Sequence, residues 1–231
     1  MLKIKGFQKT SLIDYPGKIC SVLFLPGCNY RCPFCQNPDL IENPDKLPDI
    51  EEGYILSFLK KRKGLVDGVC ITGGEPTIHK ELPSFIKKIK DLGFLVKLDT
   101  NGSNPEMIEC LIKDNLLDYI AMDIKAPLEK YSEVVKVNVD IEKIKRSISL
   151  LMNSGIEYEF RTTVIPKFHK KEDLLKIAET IKGAKRYYLQ QFRPLITLDK
   201  SFEKEPTYTE QELNSFANAL KHYFEEINVR T

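Results

Sequence analysis

The run Ile19-Cys20-Ser21-Val22-Leu23-Phe24-Leu25-Pro26 leads directly into Gly27-Cys28-Asn29-Tyr30-Arg31-Cys32-Pro33-Phe34-Cys35. Its first seven residues are short, apolar and rich in strand formers, the pattern of a buried strand. The loop that follows has C-x3-C-x2-C spacing, which brings three thiolates within reach of one inorganic centre. An iron–sulfur cube has four iron corners, each needing a ligand. Three cysteines hold three corners and leave one iron open to bind and reduce a substrate. Two duller readings stand beside this one. Zinc wants four ligands, and residues 36–69 contain neither Cys nor His, which leaves His79 or Cys20 to fold back. Cys32-Pro33-Phe34-Cys35 alone has the form of a thiol–disulfide motif, but the third cysteine then has no role.

Outward from this strand and loop, apolar runs alternate with helical patterns. The spacing predicts buried strands at 19–25, 68–72, 94–98, 117–122, 156–163 and 186–190. Between them, Leu82, Phe85, Ile86 and Ile89 form one helical face. Met107, Ile108, Leu111 and Ile112 repeat the pattern behind Asn104-Pro105, an N-cap with proline at the first helical position. Ile141, Ile144, Ile148 and Leu151 make another stripe, and Leu174, Leu175, Ile177, Ala178 and Ile181 another. A last helix starts at Thr209 with Glu212 in a capping box and is read as burying Leu213, Phe216, Ala217, Leu220 and Phe224. The first crossover helix, near 51–62, is less regular. Six βα units imply a parallel sheet with right-handed crossovers: an α/β fold, either an open sheet or a partial (β/α)6 barrel. A single domain is expected over 1–231, with an N-terminal extension (1–18), the barrel (19–194) and a C-terminal segment with a helix (195–231).

Composition narrows the class. The chain has 231 residues, 42% of them hydrophobic, enough for one substantial core. Its 35 basic and 33 acidic residues nearly balance, which gives no general pull toward nucleic acid or an anionic membrane. No apolar run is long enough to span a bilayer, and residues 1–6 lack the apolar stretch of a signal peptide. A cytoplasmic location is expected, where thiols stay reduced. Cys20, Cys70 and Cys110, scattered among apolar residues, are read as small buried hydrophobes.

In parallel α/β folds the functional loops lie at the C-terminal ends of the strands. Each polar cluster of this chain follows a strand: the cysteine triad, Thr72-Gly73-Gly74-Glu75-Pro76, Asp99-Thr100-Asn101-Gly102, Asp123-Ile124-Lys125, Arg161, and Gln190-Gln191-Phe192-Arg193-Pro194. One shared site is the economical explanation.

C-x3-C-x-aromatic-C followed by a Gly-Gly-Glu-Pro strand end resembles the radical S-adenosylmethionine (SAM) superfamily, over residues 4–194. The resemblance implies that Cys28, Cys32 and Cys35 bind a [4Fe-4S] cluster whose open iron is chelated by SAM. It implies an electron passed into the sulfonium, loss of methionine, and a 5′-deoxyadenosyl radical that abstracts hydrogen. It places Gly73 and Gly74 where backbone approaches a ligand closely, and Glu75 against the methionyl ammonium. It places Asp99 in contact with SAM, Lys125 of the D-x-K pattern with Asp123, or Arg161, at the SAM carboxylate, and Phe34 on the adenine; the duller alternatives are a strand-to-helix turn at Gly73–Glu75, a capping or turn role for Asp99, and an Arg161 paired with a carboxylate of the fold. Asp99, Thr100, Met122 and Asp123 offer oxygens to a monovalent cation.

The run Ser11-Leu12-Ile13-Asp14-Tyr15-Pro16-Gly17 resembles the activases of glycyl-radical enzymes, most of all those of anaerobic ribonucleoside-triphosphate reductase. The implied reaction takes one hydrogen from a glycine Cα of a partner enzyme, with electrons from a low-potential donor such as flavodoxin or ferredoxin. Asp14 is a candidate contact for the partner's glycine loop, or simply a turn residue; Gln191 and Arg193 are further candidates. Gln36 stands where many activases have histidine, and the absence of further cysteines in 36–69 points to a single cluster. A pyruvate formate-lyase-like partner, a small-molecule or RNA-base substrate, and a non-enzymatic zinc-binding domain are the alternatives.

Overall fold

All 231 residues are described in a computed structural model, and they pack as two compact units. The first comprises Met1–Asn29, Asn37–Thr100 and Glu106–Ile120; the second comprises Tyr30–Gln36, Asn101–Pro105 and Ala121–Thr231. The elements run β1 (Gly6–Ser11), β2 (Cys20–Leu25), α1 (Pro38–Glu42), α2 (Glu52–Lys61), β3 (Gly68–Gly73), α3 (Leu82–Asp91), β4 (Leu95–Thr100), α4 (Pro105–Lys113) and β5 (Tyr119–Asp123). They continue with α5 (Tyr131–Val135), α6 (Ile141–Asn153), β6 (Glu157–Val164), α7 (Lys171–Thr180), β7 (Arg186–Gln191), α8 (Glu210–Leu220) and β8 (Glu226–Arg230). The strands form one sheet in chain order, β1 to β8. No helix is long and apolar enough to cross a membrane.

In the first unit, β1 runs antiparallel to β2, and β2, β3 and β4 are parallel. Strand side chains alternate between faces. Leu23, Leu25, Val69, Ile71, Val96 and Leu98 share one face and are fully buried. α2 and α3 contribute Ile55, Leu59, Phe85, Ile86 and Ile89, equally buried, and α3 packs on β4. Each such side chain contributes about 1.5–3 kcal/mol. The opposite face is polar: Val22 lies opposite Cys70, Cys70 opposite Lys97, and Asp99 follows two residues on.

In the second unit, β6, β7 and β8 are parallel. Phe160, Tyr187 and Leu189 are buried with Ile144, Ile148 and Leu151 of α6, Leu174, Ile177 and Ala178 of α7, and Leu213, Ala217 and Leu220 of α8. The Thr209–Glu212 capping box forms as expected.

The six expected strands are present within two residues at either end, and two more flank them. β1 lies in the expected extension and has a single large apolar side chain, Phe7, packed at 5.1 Å on Phe58. An edge strand paired on one side needs little hydrophobicity. β8 lies beyond the last helix, which stops at Leu220; a 3-10 turn follows, and Phe224 is extended rather than helical. Cys20 and Cys70 are buried as expected, but Cys110 is exposed on α4, its thiol facing Asp114 at 3.9 Å. Position 110 lies one residue outside the apolar stripe of that helix.

Candidate active site

The cysteine loop contributes to both units: Gly27 and Cys28 to the first, Cys32 to Cys35 to the second. In the first, Gly74 N–H donates to Leu25 O at 2.9 Å and Glu75 N–H to Gly27 O at 2.8 Å. Gly73 adopts φ +124°, which L side chains avoid, and a Cβ on Gly74 would lie 1.8 Å from Gly27 O. The close approach that needs two glycines is therefore to the root of the cysteine loop itself.

Glu75 is fully buried. Its Oε1 accepts from Thr77 N (3.0 Å), Thr77 Oγ1 (2.5 Å) and Thr100 Oγ1 (2.8 Å). The carboxylate thus caps the turn Pro76–Ile78 and ties the end of β3 to the end of β4. Asp99 is ion-paired to Lys97, whose Nζ also lies 3.8 Å from Cys70 Sγ. Burial, reinforced by the Asp99 charge, pushes the Cys70 thiol up; burial and the Asp14 charge raise Cys20 to about 11. Both thiols therefore remain neutral near pH 7.

Of the side chains proposed to complete a zinc site, His79 directs Nε2 to Pro26 O at 2.8 Å. Cys20 begins β2, at the end opposite the loop. The structure gathers no three His, Cys, Asp or Glu side chains around a single-ion position. Ser11, which lies opposite Cys20, hydrogen-bonds the Asp14 carboxylate and accepts from Ile13 N at 3.2 Å. The turn bearing Asp14 thus closes the β1–β2 hairpin at the end of β2 remote from Cys28.

In the second unit, Cys35 N–H donates to Cys32 O at 3.0 Å. Leu198 N–H donates to Cys35 O at 3.0 Å and Asp199 N–H to Pro33 O at 2.9 Å. Gln36 Nε2 donates to Arg193 O at 2.9 Å. The segment after β7 is thereby stitched along the cysteine loop, which gives Gln36 and Arg193 a structural contact. Phe34 is buried, tilted against Phe168 at 6.1 Å, and Phe168 stacks on Phe202 at 5.6 Å.

At the end of β5, Asp123 Oδ2 accepts from Lys125 Nζ and Oδ1 from Arg161 Nε, each at 2.9 Å. Burial alone would raise the Asp123 pKa, but the two cations override it and hold the carboxyl at about 2. Burial likewise works against the Lys125 charge, and Asp123 and then the nearby Cys32 sulfur raise its pKa regardless. The backbone here is clamped throughout. Ile124 N–H donates to Arg161 O (2.8 Å) and Thr162 Oγ1 to Ile124 O (2.8 Å). Lys125 N–H donates to Tyr131 Oη (3.2 Å), and His169 Nε2–H donates to Lys125 O (2.9 Å). The His169 tautomer follows from its other nitrogen, Nδ1, which accepts Ile165 N–H at 3.1 Å. Burial keeps this ring neutral, lowering its pKa to about 4.

The second unit therefore brings together Cys32, Asp123, Lys125 and Arg161, and the first sets Gly73, Gly74 and Glu75 on the root of the loop at Cys28. Sequence reasoning missed Lys97, Tyr131 and His169. Lys97 had a signal, a cation at alternating position inside an apolar strand; the other two act through backbone contacts that no side-chain pattern announces.

Thiol donors suit an iron–sulfur cluster, and all three are free of disulfides. The Lys125 ammonium, held charged chiefly by Asp123 and further by the Cys32 sulfur, suits an anionic thiolate-bound cluster, so the residues fit the group.

Comparison with known proteins agrees. A Methanocaldococcus jannaschii protein that carries the name glycyl-radical enzyme activating enzyme is 39% identical, over 99% of this chain and 95% of its own length. The pyruvate formate-lyase-activating enzyme of Clostridium pasteurianum is 27% identical, over 86% of this chain and 84% of that one. Among solved structures, Streptococcus suis SuiB bound to S-adenosylmethionine superposes with a TM-score of 0.67 at 14% identity. The match covers 91% of this chain and about half of SuiB (52%), a likeness of fold. The radical SAM superfamily model matches residues 22–181, and the chain belongs to that superfamily.

Proposed function

We propose that this chain is an activating enzyme for a glycyl-radical partner. Cys28, Cys32 and Cys35 would hold a [4Fe-4S] cluster, and SAM would be the second cofactor. When bound, the two supply reductive cleavage of SAM and the radical that removes hydrogen from a glycine Cα of the partner. The chain's own residues bind and orient. Lys125 and Arg161 both pair with Asp123, and one or the other is proposed to receive an anionic group such as the SAM carboxylate. Asp123 keeps both cations charged and in place. Gly73 and Gly74 seat the loop root, and Glu75 fixes the strand ends above which the ligand would lie; Asp99 would meet SAM, and Phe34 its adenine.

The observation that carries this reading is the Asp123–Lys125–Arg161 group beside the cysteine loop: Tyr30 packs on Tyr131 at 6.4 Å, and Tyr131 Oη accepts Lys125 N–H. The 39% relative extends the reading to the activase class. Anaerobic ribonucleoside-triphosphate reductase is the partner suggested by the Ser11–Gly17 run; a flavodoxin or ferredoxin would be the electron source.

The test is anaerobic reconstitution with iron and sulfide, followed by dithionite and SAM. We expect 5′-deoxyadenosine from the wild type and none from C28A, C32A or C35A. Addition of the reductase should then yield a glycyl-radical EPR doublet; a doublet only with a pyruvate formate-lyase would reassign the partner. A colourless protein without SAM cleavage would defeat the proposal.

A further inference from the structure

Asp99 ends β4 on the polar face of the first unit, and its counter-charge comes from within its own strand. Residues i and i+2 of a strand share a face, so the Lys97 side chain can run forward and deliver its ammonium to Asp99 Oδ1. The lysine is almost completely enclosed, its side chain 3% exposed, with Asp99 at 14%. An isolated ammonium would be strongly disfavoured in such a place. Its nearest neighbour across the sheet, Cys70, is directly opposite in register, with Sγ at 3.8 Å from Nζ. That thiol, like Cys20, is held neutral by burial and so brings no charge. Asp99 is a carboxylate ion-paired to Lys97, and that cation is part of the chain.

We propose that Lys97 is the built-in counter-ion of Asp99, a positioning residue that does the work of a bound monovalent cation and removes the need for one. The ammonium neutralises the carboxylate and aims it by a fixed covalent tether. This inference stands on the first unit alone and does not require SAM to be the ligand.

Thermal unfolding of the full metal-free chain tests it, in sodium, potassium and choline chloride at equal ionic strength. The wild type should melt at the same temperature in all three, because no site distinguishes a small cation from a bulky one. K97Q leaves Asp99 without its tether and should recruit a small cation, melting about 3–6 °C higher in sodium or potassium than in choline. K97R, which keeps the charge, should remain indifferent, and K97Q/D99N should lose the cation response because the carboxylate is gone. Specific stabilisation of the wild type by sodium or potassium would overturn the proposal, as would a K97Q chain indifferent to cation identity. The wild-type comparison is decisive even where K97Q does not fold. A chain that proves unable to bind a cluster or SAM would refute the proposed function and leave this result standing.

Discussion

Lys97-Leu98-Asp99 and Asp123-Ile124-Lys125 contain the same charged pair written in opposite directions. In the first, the lysine lies inside β4 and the carboxylate at its end; in the second, the carboxylate ends β5 and the lysine lies beyond it. Strand alternation alone fixes the first pair. The second pair depends on a loop, and the fold holds that loop through Tyr131, Thr162 and His169, then adds Arg161 as a second cation. Exposure follows suit: 3% for the Lys97 side chain against 17% for Lys125. The first pair is held by the strand itself. The second, at a clamped loop with another cation beside it, is the one proposed to meet an anion.

The largest expected effect breaks this comparison at the carboxylates. D123N removes the carboxylate that Lys125 and Arg161 share, and an arginine cannot shed its proton. We expect a loss of about 3–5 kcal/mol, the usual cost of orphaning a buried ion pair. D99N leaves only Lys97, which can deprotonate, so the loss should be nearer ~2 kcal/mol. Denaturant unfolding of both metal-free variants checks the ranking; equal losses would mean that Arg161 adds no strain when its partner is removed.

A second effect separates the regions by pH. His169 clamps the Lys125 loop, flanked by Asp173 and Lys130. Unfolded, its ring takes up a proton near pH 6.5; folded, it resists until about pH 4. The unfolded state therefore binds more protons between those values. Stability is fully present above pH 6.5 and is lost as pH falls toward 4, by about 3 kcal/mol. H169Q should abolish this component of the slope, whereas K97Q should retain it. Asp123 acts in a lower window. Its stabilising ion pairs are present above its ordinary carboxyl value and fail as pH falls toward about 2, so D123N should flatten only that acid limb.

Third, SAM affinity should sharpen the functional side of the contrast. In the reconstituted protein, K125A is expected to weaken SAM binding about 10- to 100-fold, the value of one charge-assisted hydrogen bond. K97Q in sodium buffer should change it less than about threefold. Calorimetric titration distinguishes the outcomes, and comparable losses in both variants would erase the distinction between a structural and a ligand-facing pair.

Much of this was legible in the sequence because it rests on periodicity. The six central strands and the main helices announce themselves through buried stripes such as Leu82, Phe85, Ile86 and Ile89. The cysteine spacing and the strand-end position of Asp123 and Lys125 were equally readable. The rest depends on contacts between distant segments. That Thr77 and Thr100 both donate to Glu75 Oε1 could be seen only once the ends of β3 and β4 are side by side. Phe34 meets Phe168, tilted at 6.1 Å, a long-range contact that no local pattern announces. Asp14 follows none of the parallel strands; it lies in a hairpin turn because the unforeseen β1 pairs back on β2. His169 acts by donating to a main-chain oxygen, which could have been any residue's.

The smallest effect tests whether the first region is held by its ion pair or by the other face of the same strand. Thr100 follows Asp99 and points oppositely, where its hydroxyl supports Glu75 at 2.8 Å. Thr77 N–H and Oγ1 still satisfy that oxygen in T100V, so no buried charge is orphaned. Valine keeps the β-branched shape that suits a strand, and the expected loss is about 1 kcal/mol. If the two faces are independent, T100V and D99N should add to within about 0.5 kcal/mol in the double variant. A coupling above ~1 kcal/mol would make Lys97, Asp99, Thr100 and Glu75 a single network. The tethered pair could then no longer be set apart from the strand ends that seat the cysteine loop.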